Sequence, residues 1–168
     1  MAITNKICAK MCNCKSITVT DTSDWDILDT ADITSSVYSL YDKDDELVET
    51  KSFLTYTSSV TFSKTENFKD GEYKVIVTFT DNTTTKHTIE EYFYNTCNIK
   101  CKIEQLIKDF AFDEDCEDCK KEAIALAAEA YILYKGLIFA TICKNTSEAD
   151  KLLAWLEDKL INYKCKSC

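Results

Sequence analysis

The sequence predicts an α+β protein, with an N-terminal antiparallel β-sandwich of immunoglobulin-like type followed by a C-terminal three-helix hairpin or bundle. Two observations support this prediction. Up to about residue 95, apolar and polar residues alternate with a period of two between acidic turns, which is typical of half-buried strands. From Ile99 onward, apolar residues recur at the i, i+4 and i+7 positions that share one face of a helix.

The change of period divides the chain near Cys97. We expect a cysteine-rich N-terminal segment at residues 1–15, the β-sandwich at residues 16–96 and the helical domain at residues 97–168. Roughly six or seven short strands separated by polar turns fit a small antiparallel sandwich. The clearest of them span residues 16–20, 33–41, 58–63, 72–80 and 84–91.

Three helices are expected in the second half. The first begins near Ile99, and the acidic cluster at residues 113–118 suits the start of a long second helix, because negative charge is favoured at the positive end of the helix dipole. Ser147 is the expected cap of the third helix. The inner stripe of the second helix is predicted to be Ala123, Leu126, Ala127, Ala130, Leu133, Tyr134 and Leu137.

The apolar run at residues 123–142 is predicted to be a buried helix and not a membrane span, because it carries Glu129 and Lys135 and charges are costly at bilayer depth. Its apolar arc is wider than one partner helix would cover, so part of it should meet the β domain or another subunit. The residues outside the inner stripe are Ile132, Ile138, Phe139 and Ile142.

The composition excludes several functions. The chain has two glycines, no proline, no arginine and a net charge of -9. Two glycines cannot form a glycine-rich phosphate loop. The missing guanidinium groups and the negative charge argue against a nucleic acid as partner. His87 is the only histidine, and the acidic runs lack the spacing of a calcium loop, so no catalytic residues are predicted and the protein is not expected to be an enzyme.

The ten cysteines give the strongest chemical signal, because several occur in pairs three or four residues apart. Such pairs can place thiolates on a tetrahedral zinc ion. One candidate set is Cys116, Cys119, Cys165 and Cys168; a second is Cys97 and Cys101 with Cys12 and Cys14.

A structural zinc ion is the only cofactor that the sequence suggests. The alternative is a group of free or partly disulfide-paired thiols that pack as small apolar side chains, and Cys143 is interpreted as a packed free thiol. The N-terminal residues lack the apolar run of a secretory signal, so a reducing cytosol should keep thiols free or metal-bound.

Aromatic side chains on the strands could form a sugar-binding platform, although aromatic residues on strands more often belong to a sandwich core. The residues concerned are Trp25, Tyr38, Tyr41, Phe53, Tyr56, Tyr92, Phe93 and Tyr94.

Short motifs distributed along the chain resemble small virion proteins of tailed bacteriophages that infect Bacteroidetes, especially crAss-like phages. These motifs are residues 17–25 (ITVTDTSDW), the cysteine-bearing switch from strand to helix at residues 97–101, the helix start at residues 115–120 (DCEDCK) and the tail at residues 165–168 (CKSC). The resemblance implies a non-enzymatic subunit of the neck or tail, in a ring of about twelve copies stacked below the portal.

The leading hypothesis is therefore a ring subunit of the phage neck or tail, made in the host bacterial cytoplasm and located in the virion. Its partners would be further copies of itself, the portal and other neck or tail proteins, with the excess apolar helix surface and the strand edges as interfaces. No sequence-specific nucleic acid and no membrane is expected as a partner. The alternatives are a zinc-clipped protein-interaction adaptor and a host-surface or glycan-binding β-sandwich module.

Overall fold

The computed structural model describes residues 7–23, 29–111 and 117–163. Contacts within the chain divide it into two compact units, Met1–Asn95 and Thr96–Cys168. The predicted order, a two-sheet β unit followed by three helices, is confirmed.

The first unit contains two antiparallel sheets. Its strands within the described residues are β1 (Ile7–Asn13), β2 (Ser16–Asp21), β3 (Ile33–Tyr41), β4 (Leu47–Phe53), β5 (Ser59–Ser63), β6 (Gly71–Asp81) and β7 (Lys86–Asn95). One sheet has the order β1–β2–β5 and the other the order β4–β3–β6–β7. Five of these strands lie where the alternation of the sequence predicts them.

The two sheets pack face to face around one hydrophobic core, and the period of two decides which side chains enter it. Along β6, every second residue from Gly71 to Asp81 is buried, while the residues between them are half-exposed on the outer face. The core draws on both sheets: Ile17, Val19, Val60 and Phe62 from one, and Tyr38, Leu40, Val75, Val77 and Phe79 from the other.

Strand β1 lies in the segment that the sequence analysis sets apart as cysteine-rich, where it predicts no strand. The strand pairs with β2 from Ile7 opposite Asp21 to Asn13 opposite Ser16. On its other side β2 pairs with β5, so β1 satisfies the remaining row of backbone N–H and C=O groups of β2. The N-terminal cysteines Cys8 and Cys12 thus belong to an edge strand.

Polar side chains fix the ends of the larger sheet. In the turn between β3 and β4, the Asp42 carboxylate accepts hydrogen bonds from the backbone N–H groups of Asp44 (3.0 Å) and Glu46 (3.1 Å). At the outer edge of β4, the Lys51 ammonium group donates a hydrogen bond to the carbonyl of Thr61 in β5 (2.8 Å). This bond links the edge strands of the two sheets.

The second unit contains the helices α1 (Cys97–Ala111), α2 (Glu117–Ile142) and α3 (Thr146–Ile161). Asn145 caps α3 by accepting a hydrogen bond from the N–H of Glu148 (3.3 Å), so the prediction of Ser147 as the cap is wrong. The reason is the end of α2. Lys144 adopts a left-handed conformation (φ 54°), and the Asn145 N–H donates a hydrogen bond to the carbonyl of Ala140 (2.9 Å). Because α2 ends in this way, the cap of α3 falls at Asn145, two residues before the predicted Ser147.

Helix α2 contacts both α1 and α3. Its pairing with α3 is antiparallel, because Glu129 forms an ion pair with Lys159 (2.9 Å) while Gly136, later on α2, lies against Leu152, earlier on α3. Small side chains allow the close approach at this contact. The residues buried in α3 are Ala149, Leu153 and Leu156.

Candidate interaction surface

Helix α2 has two apolar faces, and among the described residues only one of them is buried. The buried face consists mostly of small side chains: Cys119, Ala123, Ala127, Ala130, Leu137 and Ala140. Four of these residues belong to the predicted inner stripe, whereas Leu126, Leu133 and Tyr134 are only half-buried.

The second face is formed by large side chains that remain exposed. We call it the exposed face of α2 and define it as Ile124, Ala128, Tyr131, Ile132, Phe139 and Ile142. At about 100° per residue these positions span an arc of roughly 100°, opposite the buried face. The exposed fractions of Ile132, Phe139 and Ile142 are 70%, 69% and 73%. The prediction of a buried helix therefore holds for one face only.

An apolar groove runs between α1 and the exposed face of α2. Its volume is about 370 Å³. The walls are formed by Leu106 and Ile107 on α1 and by Ile124 and Tyr131 on α2, and the alanines at 123, 127 and 128 form the floor. The Lys135 ammonium group lies 5.1 Å from the centre of the Tyr131 ring.

The two helices beside α2 carry opposite net charge. Helix α1 has three lysines and two acidic residues, whereas α3 has two lysines and four acidic residues. One side of the exposed face is therefore bordered by a basic helix and the other by an acidic one.

By length and composition, α2 is also a candidate membrane span. An 18-residue window within it has a mean hydropathy of 1.6, and 28% of that window is buried within the described part of the chain. A single helix of this kind is weak evidence for a membrane, since core helices of soluble proteins pass the same test.

The cysteines of the first candidate zinc set are mostly outside the described residues. Cys116, Cys165 and Cys168 lie there, and Cys119 is buried on α2 and disulfide-bonded. The antiparallel pairing of α2 and α3, which the prediction of this set assumes, is present in the described residues.

In the second candidate set, Cys12 lies on β1 and Cys14 follows that strand in the first unit, whereas Cys97 and Cys101 lie on α1 in the second unit. Cys14 and Cys97 are disulfide-bonded, and a zinc ion needs them as thiolates. The expectation of free or metal-bound thiols is therefore wrong for these two residues. Cys143 is free but exposed, which corrects its prediction as a packed thiol.

The Asp81 carboxylate organises the turn between β6 and β7. Its Oδ1 atom accepts hydrogen bonds from the Thr83 hydroxyl (2.6 Å) and from the N–H groups of Thr83 and Thr85 (both 2.9 Å), and its Oδ2 atom lies 3.0 Å from Nε2 of His87. These contacts, foremost the Thr83 hydroxyl and then the His87 ring, hold the pKa of Asp81 far below its ordinary value. His87 is half-buried on β7, where it has a structural role.

Acid should therefore weaken this turn. Because folding lowers the Asp81 pKa, its contribution to stability is present above the unfolded pKa of about 4 and is lost as the pH falls below that value. We expect Asp81→Asn to lower the midpoint of thermal unfolding at pH 7 and to flatten its fall between pH 5 and 2, measured by circular dichroism. Asp44→Asn removes an exposed carboxylate and should change neither; an equal effect of the two variants would contradict this role of Asp81.

The strand aromatics are mainly core residues. Tyr38 and Phe79 are fully buried, and Phe53 and Tyr56 pack against the core. Tyr92 is exposed, and Trp25 lies outside the described residues. Tyr41 and Tyr92 both stand opposite Lys74 on the outer face of the larger sheet, so a sugar-binding role for the aromatic residues stays a prediction.

No family model matches the sequence, and the search of curated proteins found no significant match. Among solved structures, domains d3–d4 of the rat CD45 extracellular region are 15% identical to this chain, with 54% of this chain and 47% of that chain covered and a TM-score of 0.42. The PKD1 domain of Vibrio anguillarum Epp is 17% identical over 56% of this chain and 93% of its own, with a TM-score of 0.37.

A DUF3244 family protein from Bacteroides vulgatus, described as an immunoglobulin-like β-sandwich, is 14% identical over 56% of this chain and 99% of its own, with a TM-score of 0.33. These likenesses cover about half of this chain, and this chain spans less than half of the rat d3–d4 chain.

Proposed function

We propose that this protein is a non-enzymatic structural subunit of a virion, one of about twelve copies in a ring that connects the portal to the tail of a tailed phage. The observation that carries the proposal is the exposed face of α2. Large apolar side chains grouped on one face of a monomer, here with Lys135 among them, mark a surface that another protein covers. The resemblance of the sequence to virion proteins of crAss-like phages implies that the assembly is a ring of further copies.

Charge supports the same proposal. With a net charge of -9, a ring of these subunits would repel phosphate groups and could line a channel without holding DNA. The proposal includes an immunoglobulin-like type for the β unit and a hairpin-like bundle for the three helices, with that bundle as the part that carries the ring contacts.

The test is the assembly state of the purified full-length chain. We expect light scattering and mass photometry to show multimers over a range of micromolar concentrations, and electron microscopy to show closed rings. A chain that stays monomeric at every concentration and does not bind portal or neck proteins of the same phage would overturn the proposal.

A zinc-clipped adaptor is the second candidate, favoured by the spacing of the cysteines in the pairs Cys116 and Cys119 and Cys165 and Cys168. This function requires reduced thiols, so the reduced protein should bind one zinc ion per chain and lose folded structure on chelation. Ring assembly of a zinc-free protein would count against the adaptor.

A further inference from the structure

We propose that neighbouring copies meet head to tail, with Ile132 and Phe139 of one copy inserted into the α1–α2 groove of the next. This inference rests on the proposed function, because it assumes that the exposed face of α2 is covered by the chain itself. It adds that the two contacting surfaces are different, as they must be in a ring of one kind of subunit related by rotation alone.

The projecting surface is the pair Ile132 and Phe139, which we call the α2 ridge. Both residues lie on the side of the exposed face nearer α3, where they border a second groove that also includes Gly136 and Leu152. They nevertheless project from it, because about 70% of each side chain is exposed. Seven residues separate the two, so they stand two helical turns apart, at about 10.5 Å.

The receiving surface is the α1–α2 groove. A cavity of about 150 Å³ holds one benzene ring, so a groove of about 370 Å³ can take two large side chains. Its walls on α2, Ile124 and Tyr131, are also seven residues apart. The ridge and the groove therefore repeat at the same spacing of about 10.5 Å along parallel or antiparallel helices.

Charge favours this pairing. The groove lies beside the basic helix α1, whereas the ridge lies beside the acidic helix α3. A head-to-tail contact brings the acidic side of one copy against the basic side of the next, and such complementarity selects the register and the partner. An antiparallel two-fold pairing of the same face would place α1 on α1 and α3 on α3, with like charges opposed.

The apolar centre of this contact is small. The ridge presents two large side chains of the exposed face and the groove presents two others, each on the order of 100 Å², or roughly 200 Å² on each side of the contact. A standard interface covers about 800 Å² of each partner, so the charged helices would supply the rest of it as a rim.

A mixing experiment tests the inference on the full-length chain. Phe139→Asp removes the ridge and leaves the groove intact. Ala128→Glu fills the groove and leaves the ridge intact. Both positions are exposed, so neither substitution should prevent folding. Each variant alone should weaken assembly at least about 30-fold in dissociation constant, measured by mass photometry. Leu54→Asp and Ala154→Glu make the same changes at exposed positions outside both surfaces and should assemble like the wild type.

The decisive sample is an equimolar mixture of the two variants. Head-to-tail contact predicts particles of two copies, because one intact ridge meets one intact groove and the assembly then stops. A mixture that stays monomeric while the wild type assembles overturns the inference and leaves the proposed function standing. A wild-type chain that is monomeric at all concentrations overturns both.

Two further outcomes would overturn the inference. If both variants assemble like the wild type, the ridge and groove are not the contact. If the wild type sediments with phosphatidylcholine vesicles and Phe139→Asp abolishes that binding, the exposed face of α2 covers lipid and not a second copy.

Discussion

Replacing Tyr38 with alanine should remove about 3–5 kcal/mol from the free energy of unfolding of the β unit, the cost of an unfilled cavity in a packed core. The side chain is fully buried. Its ring meets Phe53 and Phe79 edge to face, with ring centres 6.5 and 6.0 Å away, and its hydroxyl donates a hydrogen bond to the carbonyl of Thr57. Urea denaturation followed by circular dichroism measures the loss.

Two control variants separate the contributions of this residue. Tyr38→Phe keeps the ring and should cost only about 1 kcal/mol, the value of one hydrogen bond. Tyr92→Ala removes an exposed tyrosine from β7 and should change the free energy of unfolding by about 0.5 kcal/mol or less. Comparable losses for Tyr38→Ala and Tyr92→Ala would show that Tyr38 is not part of the core.

Alkaline pH should weaken the same core. Burial, with a smaller contribution from Asp21, raises the pKa of Tyr38 well above its ordinary value, and burial raises the pKa of Tyr73 to about 12. Above pH 10 the unfolded chain therefore releases protons that the folded chain retains, so the free energy of unfolding falls as the pH rises. The Tyr38→Phe variant should show a shallower fall than the wild type.

Replacing Leu156 with alanine should destabilise the helical unit by about 2–5 kcal/mol. Leu156 is fully buried on α3, which packs against α2, so its loss leaves a cavity among the helices. Hydrogen exchange with mass spectrometry reads each part of the full-length chain separately. Peptides from α2 and α3 should exchange faster, while those from β6 keep their wild-type rates.

The matched control is Leu54→Ala, which truncates a leucine of 90% exposure and should leave exchange unchanged throughout. Faster exchange in β6 of Leu156→Ala, equal to that in α3, would contradict the expectation that the two units open separately.

The fold was predictable where local pattern and burial agree. The alternation in β6 puts Val75, Val77 and Phe79 in the core, and the helical spacing places Ala123, Ala127 and Ala130 on the buried face of α2. Strand β1 was not predictable, because its sequence does not alternate in that way and it forms by pairing with β2. The cap of α3 was missed because Asn145 and Ser147 are both good capping residues, and the left-handed turn at Lys144 decides between them.

The candidate site was also predictable only in part. The width of the apolar arc in residues 123–142 predicted that α2 has more apolar surface than its neighbours cover. Which part stays exposed depends on where α1 and α3 dock, and the groove beside Tyr131 exists only once α1 is in place. The chemical state of the cysteines was not predictable either, since the same spacing of two cysteines in a sequence occurs in free thiols, in disulfides and in zinc ligands.

The hydrogen bond from Lys51 to Thr61 hinders one way in which copies of the protein could associate. Unpaired edge strands allow chains to add to one another without limit, which leads to fibres. At this edge a lysine occupies a carbonyl that an incoming strand would need, and its charge makes that strand costly to add. Growth by strand addition is thereby hindered at β5, so the proposed association through helix surfaces would meet less competition from it.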